Sequence, residues 1–412
     1  MNILDISPYA VYPPNSGGRL RIHYLNLNAV KFGHNVSIFS QDIQKTNKVN
    51  KLNINMLNSI KKVPITYNYV EYRYINIYSL MVNYITVSLG ASKIFTGDIL
   101  KIFKPKILYK LISKCDIVKV EYPWQFEHIY NIAKKEGKPV ILVEIDVNFT
   151  RLKYTIKHPR LLNILYNIAM KKEQYALEHA DIIITVSKND KRQIISKFDI
   201  DADKIYVVPN GVDISRFTIP TPTEKNKYKR QIIGDSNKKV ILFVGSLYYP
   251  NIEAVEFIIN NIASEVLKHY KNCLFLIVGS VGNYFKNINL KLKNKNVIIT
   301  GMVEDILPYF KMADIAINPI ISGSGTNIKL LEYLASGIPT ITTPFGTRGI
   351  DVEPNKHVII KDIDDFSEGI LELLSDEDLQ KRLSIYGRKL VEEKYDWKKI
   401  SKEELKILEQ RV

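Results

Sequence analysis

The chain has few of the residues that build disulfide-bonded or metal-bound frameworks. Only two cysteines, Cys115 and Cys273, occur among 412 residues, and the seven histidines are scattered. Both cysteines lie within apolar stretches, which predicts buried free thiols and a reducing compartment. This composition excludes a disulfide scaffold and a zinc site built on cysteine. We therefore expect neither a metal site nor a bound cofactor.

Long hydrophobic runs are also missing. No charge-free stretch reaches the roughly 18 apolar residues that a membrane-spanning helix needs, so none is expected. The first residues, MNILDISPYA, lack the basic-then-apolar plan of a signal peptide. Both observations predict a cytoplasmic protein, with peripheral contact at the inner face of the membrane left open.

Acidic residues are too few to balance the basic ones, especially in the first half. The net charge is +15, and residues 1–205 hold 30 Lys and Arg against 17 Asp and Glu. An anionic partner, if there is one, is therefore expected to meet the N-terminal half, although a lysine-rich solvated surface explains the excess equally. No nucleic-acid-binding module is recognisable, so a nucleic-acid partner is not expected.

Short apolar runs that alternate with helical patterns fill the chain and predict an α/β fold. A length of 412 residues favours two domains of roughly 200 residues. In the first half, strands are predicted at 2–7, 34–40, near 67–74, 116–121, 139–145 and 181–187, with helices at about 18–32, 76–90 and 98–113. In the second half, strands are predicted at 238–246, 273–280, 296–303, 314–320 and 339–343, with a helix over 251–270.

The polar stretch FTIPTPTEKNKYKRQ separates two such α/β units. It predicts a Rossmann-like domain over 1–212 and a second one over 213–395, while the last helix, about 396–412, can pack back on the first. Two facing Rossmann-like domains would leave a cleft between the carboxyl ends of their strands, where open α/β folds bind ligands. A dinucleotide-binding dehydrogenase is disfavoured because no GxGxxG follows the first strand.

Five motifs follow one another along the chain: PPNSGGRLR, VVPNGVDISRF, FVGSLYYPNIEA, TGMVEDILPYFKMADIAINPI and ISGSGTNIKLLEYLASGIPTITT. Their order resembles that in the retaining GT-B glycosyltransferases of family 4. The resemblance covers nearly the whole chain. It implies a GT-B fold, a nucleotide diphosphate sugar bound by the C-terminal domain, and an acceptor bound by the N-terminal domain.

The resemblance also implies particular donor-binding residues. Gly17 and Gly18 would lie beside the donor phosphates and the acceptor, although a plain strand-to-helix turn also explains them. Gly245 would open the phosphate-side loop. Val303 is expected at a strand end and Glu304 at the start of the next helix, near the nucleotide base, with simple helix capping as the alternative for Glu304.

The last motif would form the diphosphate cradle. Family members carry two glutamates eight positions apart, of which the second binds the ribose hydroxyls and the first binds the donor sugar. Glu332 matches the second, and the first position is Ser324. A serine is shorter and uncharged, so weaker binding or a different sugar is expected.

A second departure concerns the cations that hold the diphosphate. The family usually places an arginine where Ser246 stands, and SLYYPNIEA contains no cation. Our hypothesis is that Lys329 supplies part of the missing charge, with the backbone of Gly325, Thr326 and Asn327 and with Arg19 or Arg21. A solvated lysine is the alternative.

The acceptor side is less defined by the pattern. Glu121 ends one predicted strand, at a position where related mannosyltransferases carry a histidine, and Asp146 follows the next strand. Orientation of the acceptor and structural capping explain either carboxylate equally. In retaining transfer the leaving diphosphate can itself take the acceptor proton, so a strong general base is not required.

The predicted function is therefore metal-independent transfer of a sugar to a lipid-linked glycan, a polysaccharide precursor or another acceptor. The basic half, with its amphipathic stretches LMVNYITVSLGASKIF and ILKIFKPKILYKLI, also suggests an anionic membrane surface as a partner. Core helices are the alternative for these stretches. Two alternative functions stay open: a nucleotide-sugar-binding protein with weakened catalysis, and a sugar-nucleotide epimerase of the same fold.

Overall fold

The computed structural model describes residues 1–14, 16–41, 58–91, 93–149, 152, 159–288, 295–323 and 325–410. The chain forms two compact units. Unit 1 comprises Met1–Asn210 together with Trp397–Val412, and unit 2 comprises Gly211–Asp396. The chain thus leaves unit 1 two residues before the predicted boundary and returns to it for the last helix.

Unit 1 is built on an eight-stranded sheet in the order β3-β4-β2-β1-β5-β6-β7-β8. All neighbours are parallel except β3 and β4, which form an antiparallel hairpin. Its strands are β1 Asn2–Ser7, β2 Asn35–Gln41, β3 Asn58–Thr66, β4 Tyr69–Asn76, β5 Ile117–Glu121, β6 Val140–Glu144, β7 Ile182–Thr185 and β8 Ile205–Val207. Its helices are α1 Gly17–Lys31, α2 Ile77–Ser88, α3 Thr96–Phe103, α4 Lys106–Lys114, α5 Phe126–Lys135, α6 Pro159–His179, α7 Lys188–Phe198 and, from the C-terminus, α16 Trp397–Glu409.

Unit 2 is built on a six-stranded parallel sheet in the order β11-β10-β9-β12-β13-β14. Its strands are β9 Lys239–Val244, β10 Cys273–Val278, β11 Val297–Gly301, β12 Ile315–Asn318, β13 Thr340–Thr342 and β14 Ile359–Ile360. Its helices are α8 Pro222–Ile233, α9 Tyr249–Phe257, α10 Ala263–His269, α11 Val281–Asn287, α12 Leu307–Met312, α13 Ile328–Ala335, α14 Phe366–Ser375 and α15 Glu377–Lys394.

Apolar residues are buried on both faces of each sheet, as parallel sheets require. In β5, for example, Ile117 belongs to the core on one face, while Val118 and Val120 belong to the core on the other. The predicted buried cysteines are confirmed, since Cys115 and Cys273 are free and buried. Among the described residues, none of the helices is long and apolar enough to cross a bilayer.

The secondary structure differs from the predictions in the following places. The single helix predicted over 98–113 is broken into α3 and α4, because Lys104 has a left-handed backbone (φ 43°) and Pro105 follows it. The helix predicted over 251–270 contains a π-helical turn at Ile258–Ile262 between α9 and α10. Strand β3 was not predicted, since its lysines and proline weaken the apolar pattern of an edge strand.

Candidate functional site

The strand order of unit 2 determines where a ligand is expected to bind. Chain connections run from β9 to β10 on one side, and the later strand β12 lies on the other side of β9. Helices that leave neighbouring strands in opposite directions open a crevice at the carboxyl ends of those strands. Gly245 directly follows β9, and the segment that leads into α13 follows β12, so both border this crevice.

The loop after β9 is shaped by Asn251. A Cβ atom on Gly245 would lie 3.1 Å from Asn251 Cγ, so a larger residue would press against that side chain. The Asn251 amide donates a hydrogen bond to the carbonyl oxygen of Ser246 at 2.9 Å. Ser246 itself is exposed, and its hydroxyl oxygen accepts a second, longer hydrogen bond from the Asn251 amide at 3.4 Å.

Lys329 reaches the same loop from α13. Its Nζ donates a hydrogen bond of 2.6 Å to Asn251 Oδ1 and lies 4.3 Å from the centre of the Phe243 ring. Burial lowers the pKa of Lys329 to about 7, although nearby Glu332 opposes the shift. Lys329 thus contacts Asn251, which in turn holds Ser246. The resemblance leads us to expect an arginine at position 246.

Glu332 lies one helical turn further along α13 and is half-buried. Burial raises the pKa of its carboxyl group to about 7, while Arg216 and Lys329 favour the ionised form. The neighbouring Tyr333 anchors the helix, because its buried hydroxyl accepts a hydrogen bond from the Val244 N–H at 2.7 Å. The carboxylate is therefore presented by a helix tied to the end of β9.

The loop before α13 has glycines where its backbone turns. Gly323 (φ 117°) and Gly325 (φ 72°) adopt backbone conformations that other residues rarely take. Asn327 donates a hydrogen bond to the Gly346 carbonyl at 3.1 Å. The Thr326 hydroxyl is buried and has no hydrogen-bond partner among the described residues. The predicted Ser324 lies outside the residues that the structure describes.

Arg348 holds this loop and was missed by the sequence analysis. Its guanidinium donates to the Gly323 carbonyl at 3.0 Å and to the Gly325 carbonyl at 3.0 and 2.5 Å. It also lies 4.3 Å from the centre of the Phe345 ring. No spacing rule connects an arginine after β13 to a loop after β12, so only the fold brings them together.

The loop after β11 differs from expectation. Strand β11 ends at Gly301 and α12 begins at Leu307, so Val303 is not a strand residue and Glu304 does not begin a helix. Instead, Asp305 accepts a hydrogen bond from the Leu307 N–H at 3.1 Å. A proline at the second position of α12 starts the helix later, and Val303 and Glu304 lie in the connecting loop.

In unit 1, Gly18 lies close to two tyrosines. A Cβ atom on Gly18 would lie 2.4 Å from the Tyr9 hydroxyl and 3.2 Å from that of Tyr122. The two hydroxyls are 3.3 Å apart, and Lys93 Nζ lies 4.2 Å from the Tyr9 ring centre. Gly17 is the first residue of α1. The need for glycine at position 18 is thus explained by tyrosine packing alone.

Tyr122 is the strained residue of this group. Its backbone (φ 71°, ψ 157°) occupies a region that is nearly exclusive to glycine, at a cost of about 1–3 kcal/mol. Such strain is concentrated at functional sites in proteins. Tyr122 directly follows β5, which borders the corresponding crevice of the unit 1 sheet beside β1.

The two carboxylates predicted on the acceptor side have different surroundings. Glu121 is buried near Lys119, whose Nζ lies 4.0 Å from Glu121, 3.0 Å from Glu404 and 3.4 Å from Asp5. Burial raises the pKa of Glu121 well above its ordinary value, Asp5 adds to the shift, and Lys119 opposes it. Asp146 is half-buried. Asp146 is therefore the more accessible carboxylate.

The two predicted arginines of α1 are both buried in unit 1. Arg21 donates hydrogen bonds to the Pro209 carbonyl at 2.8 Å and to the Asn210 side chain at 3.2 Å. Arg19 lies 5.7 Å from the centre of the Tyr9 ring. Among the described residues, no three of the His, Cys, Asp and Glu side chains are placed to hold a metal ion.

Two family models match the chain, and together they cover most of it. The model described as "Glycosyltransferase Family 4" matches residues 16–216, and the one described as "Glycosyl transferases group 1" matches residues 238–376. Each match lies almost wholly within one of the two units.

Two distant relatives with curated descriptions match about half of the chain. An uncharacterized glycosyltransferase of Methanocaldococcus jannaschii is 28% identical over 55% of this chain and 59% of its own length. The UDP-Gal:alpha-D-GlcNAc-diphosphoundecaprenol alpha-1,3-galactosyltransferase of Escherichia coli is 26% identical over 50% of this chain and 54% of its own. The chain thus spans little more than half the length of these relatives.

Solved structures match the whole chain. Sucrose-phosphate synthase from Thermosynechococcus elongatus aligns with a TM-score of 0.72 and 15% identity over 100% of this chain and 99% of its own. Anabaena HepE, solved with UDP-glucose, aligns with a TM-score of 0.68 and 13% identity over 100% of both chains. At such identities the likeness shows the fold, which is GT-B. The two family models and the fold agree with the order of the five motifs, and the chain belongs to the group 1 glycosyltransferases of family 4.

Proposed function

We propose that this protein is a retaining glycosyltransferase that uses a nucleotide diphosphate sugar. Unit 2 would bind the donor and unit 1 the acceptor. One observation carries the proposal. The crevice beside β9 and β12 brings an ammonium group, a carboxylate and a glycine-containing loop to one edge of the sheet, through Lys329, Glu332 and the segment at 325–327.

Each of these groups has a suitable role toward the donor. The Glu332 carboxylate can accept two hydrogen bonds at once, which suits the hydroxyl pair of a ribose. Backbone N–H groups of Thr326 and Asn327 and the first turn of α13 can bind diphosphate oxygens. Lys329 adds the positive charge that a diphosphate requires and that the loop at Ser246 does not provide.

The reaction breaks the bond between the sugar C1 atom and the diphosphate oxygen, and its electron pair leaves with the nucleoside diphosphate. An acceptor hydroxyl oxygen forms the new bond to C1 on the same face. The acceptor proton moves to an oxygen of the leaving diphosphate or to Asp146. Lys329 would stabilise the negative charge that develops on the leaving group, which is the step where positioned charge has the largest effect.

Two observations support a class of acceptor: the name of one relative and the positive charge of the N-terminal half. The name of the Escherichia coli relative specifies a diphosphoundecaprenol-linked sugar as its acceptor. Residues 1–205 carry most of the excess positive charge. Both points support a lipid-linked glycan or polysaccharide precursor, reached at the inner, anionic face of a membrane.

A nucleotide-sugar-binding protein with weakened catalysis is the second candidate. The observation in its favour is Ser246, an uncharged residue where an arginine is expected beside the diphosphate. This candidate predicts donor binding with neither hydrolysis nor transfer.

A thermal-shift screen with UDP-, GDP- and ADP-linked sugars tests the proposal. A true donor at 100 times its Kd should stabilise the protein by about 2.7 kcal/mol, because it binds only the folded state. The donor so identified is then incubated with lipid-linked acceptors, and transfer is followed by mass spectrometry. Binding with turnover supports the proposal, binding alone supports the second candidate, and no shift with any sugar nucleotide contradicts both.

A further inference from the structure

Helix α2 buries two small polar residues and exposes five large apolar ones. The side that packs on unit 1 carries Ser79 and Thr86, which are 1% and 4% exposed. By contrast, five large apolar side chains of the helix are between 52% and 60% exposed: Tyr78, Met81, Tyr84, Ile85 and Val87. Burial of these side chains against another surface would be favourable, and in this helix the fold does not provide it.

Four of the five exposed apolar side chains form one face, and Val87 lies outside it. At 3.6 residues per turn, Tyr78, Met81, Tyr84 and Ile85 fall within about 120° of one another, on the side opposite Ser79 and Thr86. These exposed residues therefore form a continuous apolar stripe along the helix.

The face continues onto α3. The rings of Tyr78 and Phe103 stack with centres 5.2 Å apart, which joins the two helices. Ile102 of α3 is 70% exposed and extends the apolar area. Lys101 and Lys104 flank it and are exposed, whereas α2 carries no charged residue. The surface is thus apolar at its centre and positive at its edge.

We propose that this α2 face, defined as Tyr78, Met81, Tyr84, Ile85 and Ile102, docks on an anionic lipid bilayer. Tyrosine and methionine suit the boundary between head groups and acyl chains, and lysines at the edge attract anionic lipids. Charge complementarity favours this occupant, because an acidic lipid surface would neutralise Lys101 and Lys104. This docking rests on the proposed function, because it would bring the enzyme to a lipid-linked acceptor.

The two kinds of contact make separable contributions. Each lysine near an anionic surface should raise binding about five-fold, an effect that salt weakens. The apolar side chains should contribute binding that salt does not weaken, because it arises from removal of apolar area from water. Binding is therefore expected to fall as salt is added but not to vanish.

Flotation of the full chain with vesicles tests the surface. Vesicles of phosphatidylcholine are compared with vesicles that also contain phosphatidylglycerol. The test variant combines Met81→Ser, Tyr84→Ser and Ile85→Ser. The matched control combines Ile164→Ser, Ile385→Ser and Tyr386→Ser, which remove similar exposed side chains elsewhere. A third variant combines Lys101→Gln with Lys104→Gln.

The wild type and the matched control should float with phosphatidylglycerol vesicles. The α2 variant should lose binding at least about tenfold, since three apolar side chains no longer enter the bilayer. The lysine variant should bind more weakly and with less salt dependence. Thermal unfolding of every variant should match the wild type, because the substituted side chains are exposed.

Other outcomes overturn the inference. Equal flotation of the α2 variant and the wild type would show that another surface binds lipid. If the wild type does not float but forms a dimer, and the α2 variant is a monomer, a second copy of the chain covers the face. The thermal-shift screen with sugar nucleotides separates the two proposals. Vesicle binding without a thermal shift contradicts only the proposed function. A thermal shift without vesicle binding contradicts only the docking of the α2 face.

Discussion

Lys329 and Glu332 are the residues on which the proposed chemistry depends most. They lie three positions apart on α13, and burial moves the pKa of both toward about 7, down for the lysine and up for the glutamate. Without a ligand, each group is therefore close to the point at which its charge is lost. A bound diphosphate would restore the charge of the lysine, because an anion nearby favours the protonated form.

Replacement of Lys329 by alanine should lower kcat by about 10²-fold or more, as loss of one group that stabilises leaving-group charge typically does. The measurement is steady-state transfer with the donor found by the thermal-shift screen. Lys389→Ala, which removes an exposed lysine of α15, is the control and should leave the rate unchanged. Activity of Lys329→Ala near that of the wild type would contradict the role of Lys329.

Above neutral pH, the protein should take up protons from the buffer when it binds the sugar nucleotide. At about pH 8, most Lys329 is neutral if its pKa is about 7, and a bound diphosphate raises that pKa, so each binding event draws in part of a proton. Below about pH 6 the lysine is already charged, and this uptake disappears. Calorimetry of nucleotide binding in buffers of different ionisation enthalpy measures the proton count.

Lys329→Met is the matching variant for that experiment. It keeps a long apolar side chain near Phe243 and lacks the ammonium group, so the proton uptake at pH 8 should fall, and Glu332, whose pKa is also about 7, remains as a titrating group. Uptake equal to that of the wild type would assign the proton to Glu332 or to another group.

Arg348 is expected to affect donor binding through the loop it holds. Its bonds to the Gly325 carbonyl orient that peptide, and in a trans peptide the Thr326 N–H points the opposite way. Arg348→Ala should therefore weaken binding of the sugar nucleotide by roughly tenfold, the effect of one misplaced N–H group. It should also speed amide hydrogen exchange at Thr326 and Asn327. Arg348→Lys should restore this only in part, because an ammonium lacks the planar fork.

The control for Arg348 is Arg382→Ala, which removes an exposed arginine that donates to the Asn355 carbonyl. It should leave donor affinity and loop exchange unchanged. Equal donor affinity of Arg348→Ala and the wild type would show that the loop keeps its shape without the guanidinium.

At the scale of elements, α16 shows how a distant segment completes a domain. It returns from the end of the chain, stacks Trp397 on Tyr24 of α1 with ring centres 6.1 Å apart, and brings Glu404 to within 3.0 Å of Lys119. Lys119 is buried among carboxylates, so loss of one leaves a buried charge less well compensated.

Glu404→Gln should lower the stability of unit 1 by about 1–3 kcal/mol, less than the full cost of breaking a buried pair because Asp5 remains near Lys119. Glu403→Gln is the matched control, since Glu403 pairs with Lys406 on the surface and should change stability by less than about 1 kcal/mol. Urea unfolding followed by circular dichroism measures both. Equal stability of the two variants would contradict a structural role for the buried pair.

Elements with strong local patterns were predictable, and those shaped by neighbours were not. The buried strands β1, β5, β6, β9 and β10 were predicted within two residues at either end, because a continuous apolar run needs no partner to be recognised. The break at Lys104–Pro105 was not predicted, although proline disfavours the interior of a helix. Strand β3 depends on pairing with β4, which no local pattern of its own reveals.

For the whole molecule, the uneven charge distribution matters most. The excess of positive charge lies in residues 1–205, whereas the candidate donor site lies in unit 2 and uses a few positioned groups. Protein cations and helix N-termini can neutralise a diphosphate without a divalent ion. The proposed transferase is therefore expected to be metal-independent.

Transfer should proceed at an unchanged rate after dialysis against EDTA and in its presence. Added Mg²⁺ or Mn²⁺ should give no more than a small change, since Lys329 and the α13 N-terminus already provide positive charge. The initial rate with the identified donor is the measurement. Loss of activity in EDTA that Mg²⁺ or Mn²⁺ restores would show that a metal ion supplies part of the charge.

The sequence by itself determined the α/β class, the two-unit division of the strands, and the placement of Lys329 and Glu332 on one short helix, because each follows from periodicity or spacing within a few residues. Only the tertiary structure decided that Arg348 holds the loop before that helix, that Asn251 links Lys329 to Ser246, and that Glu121 is buried near Lys119. It also decided which side of α2 is exposed. These features depend on which elements pack together, and packing joins residues that no local pattern relates.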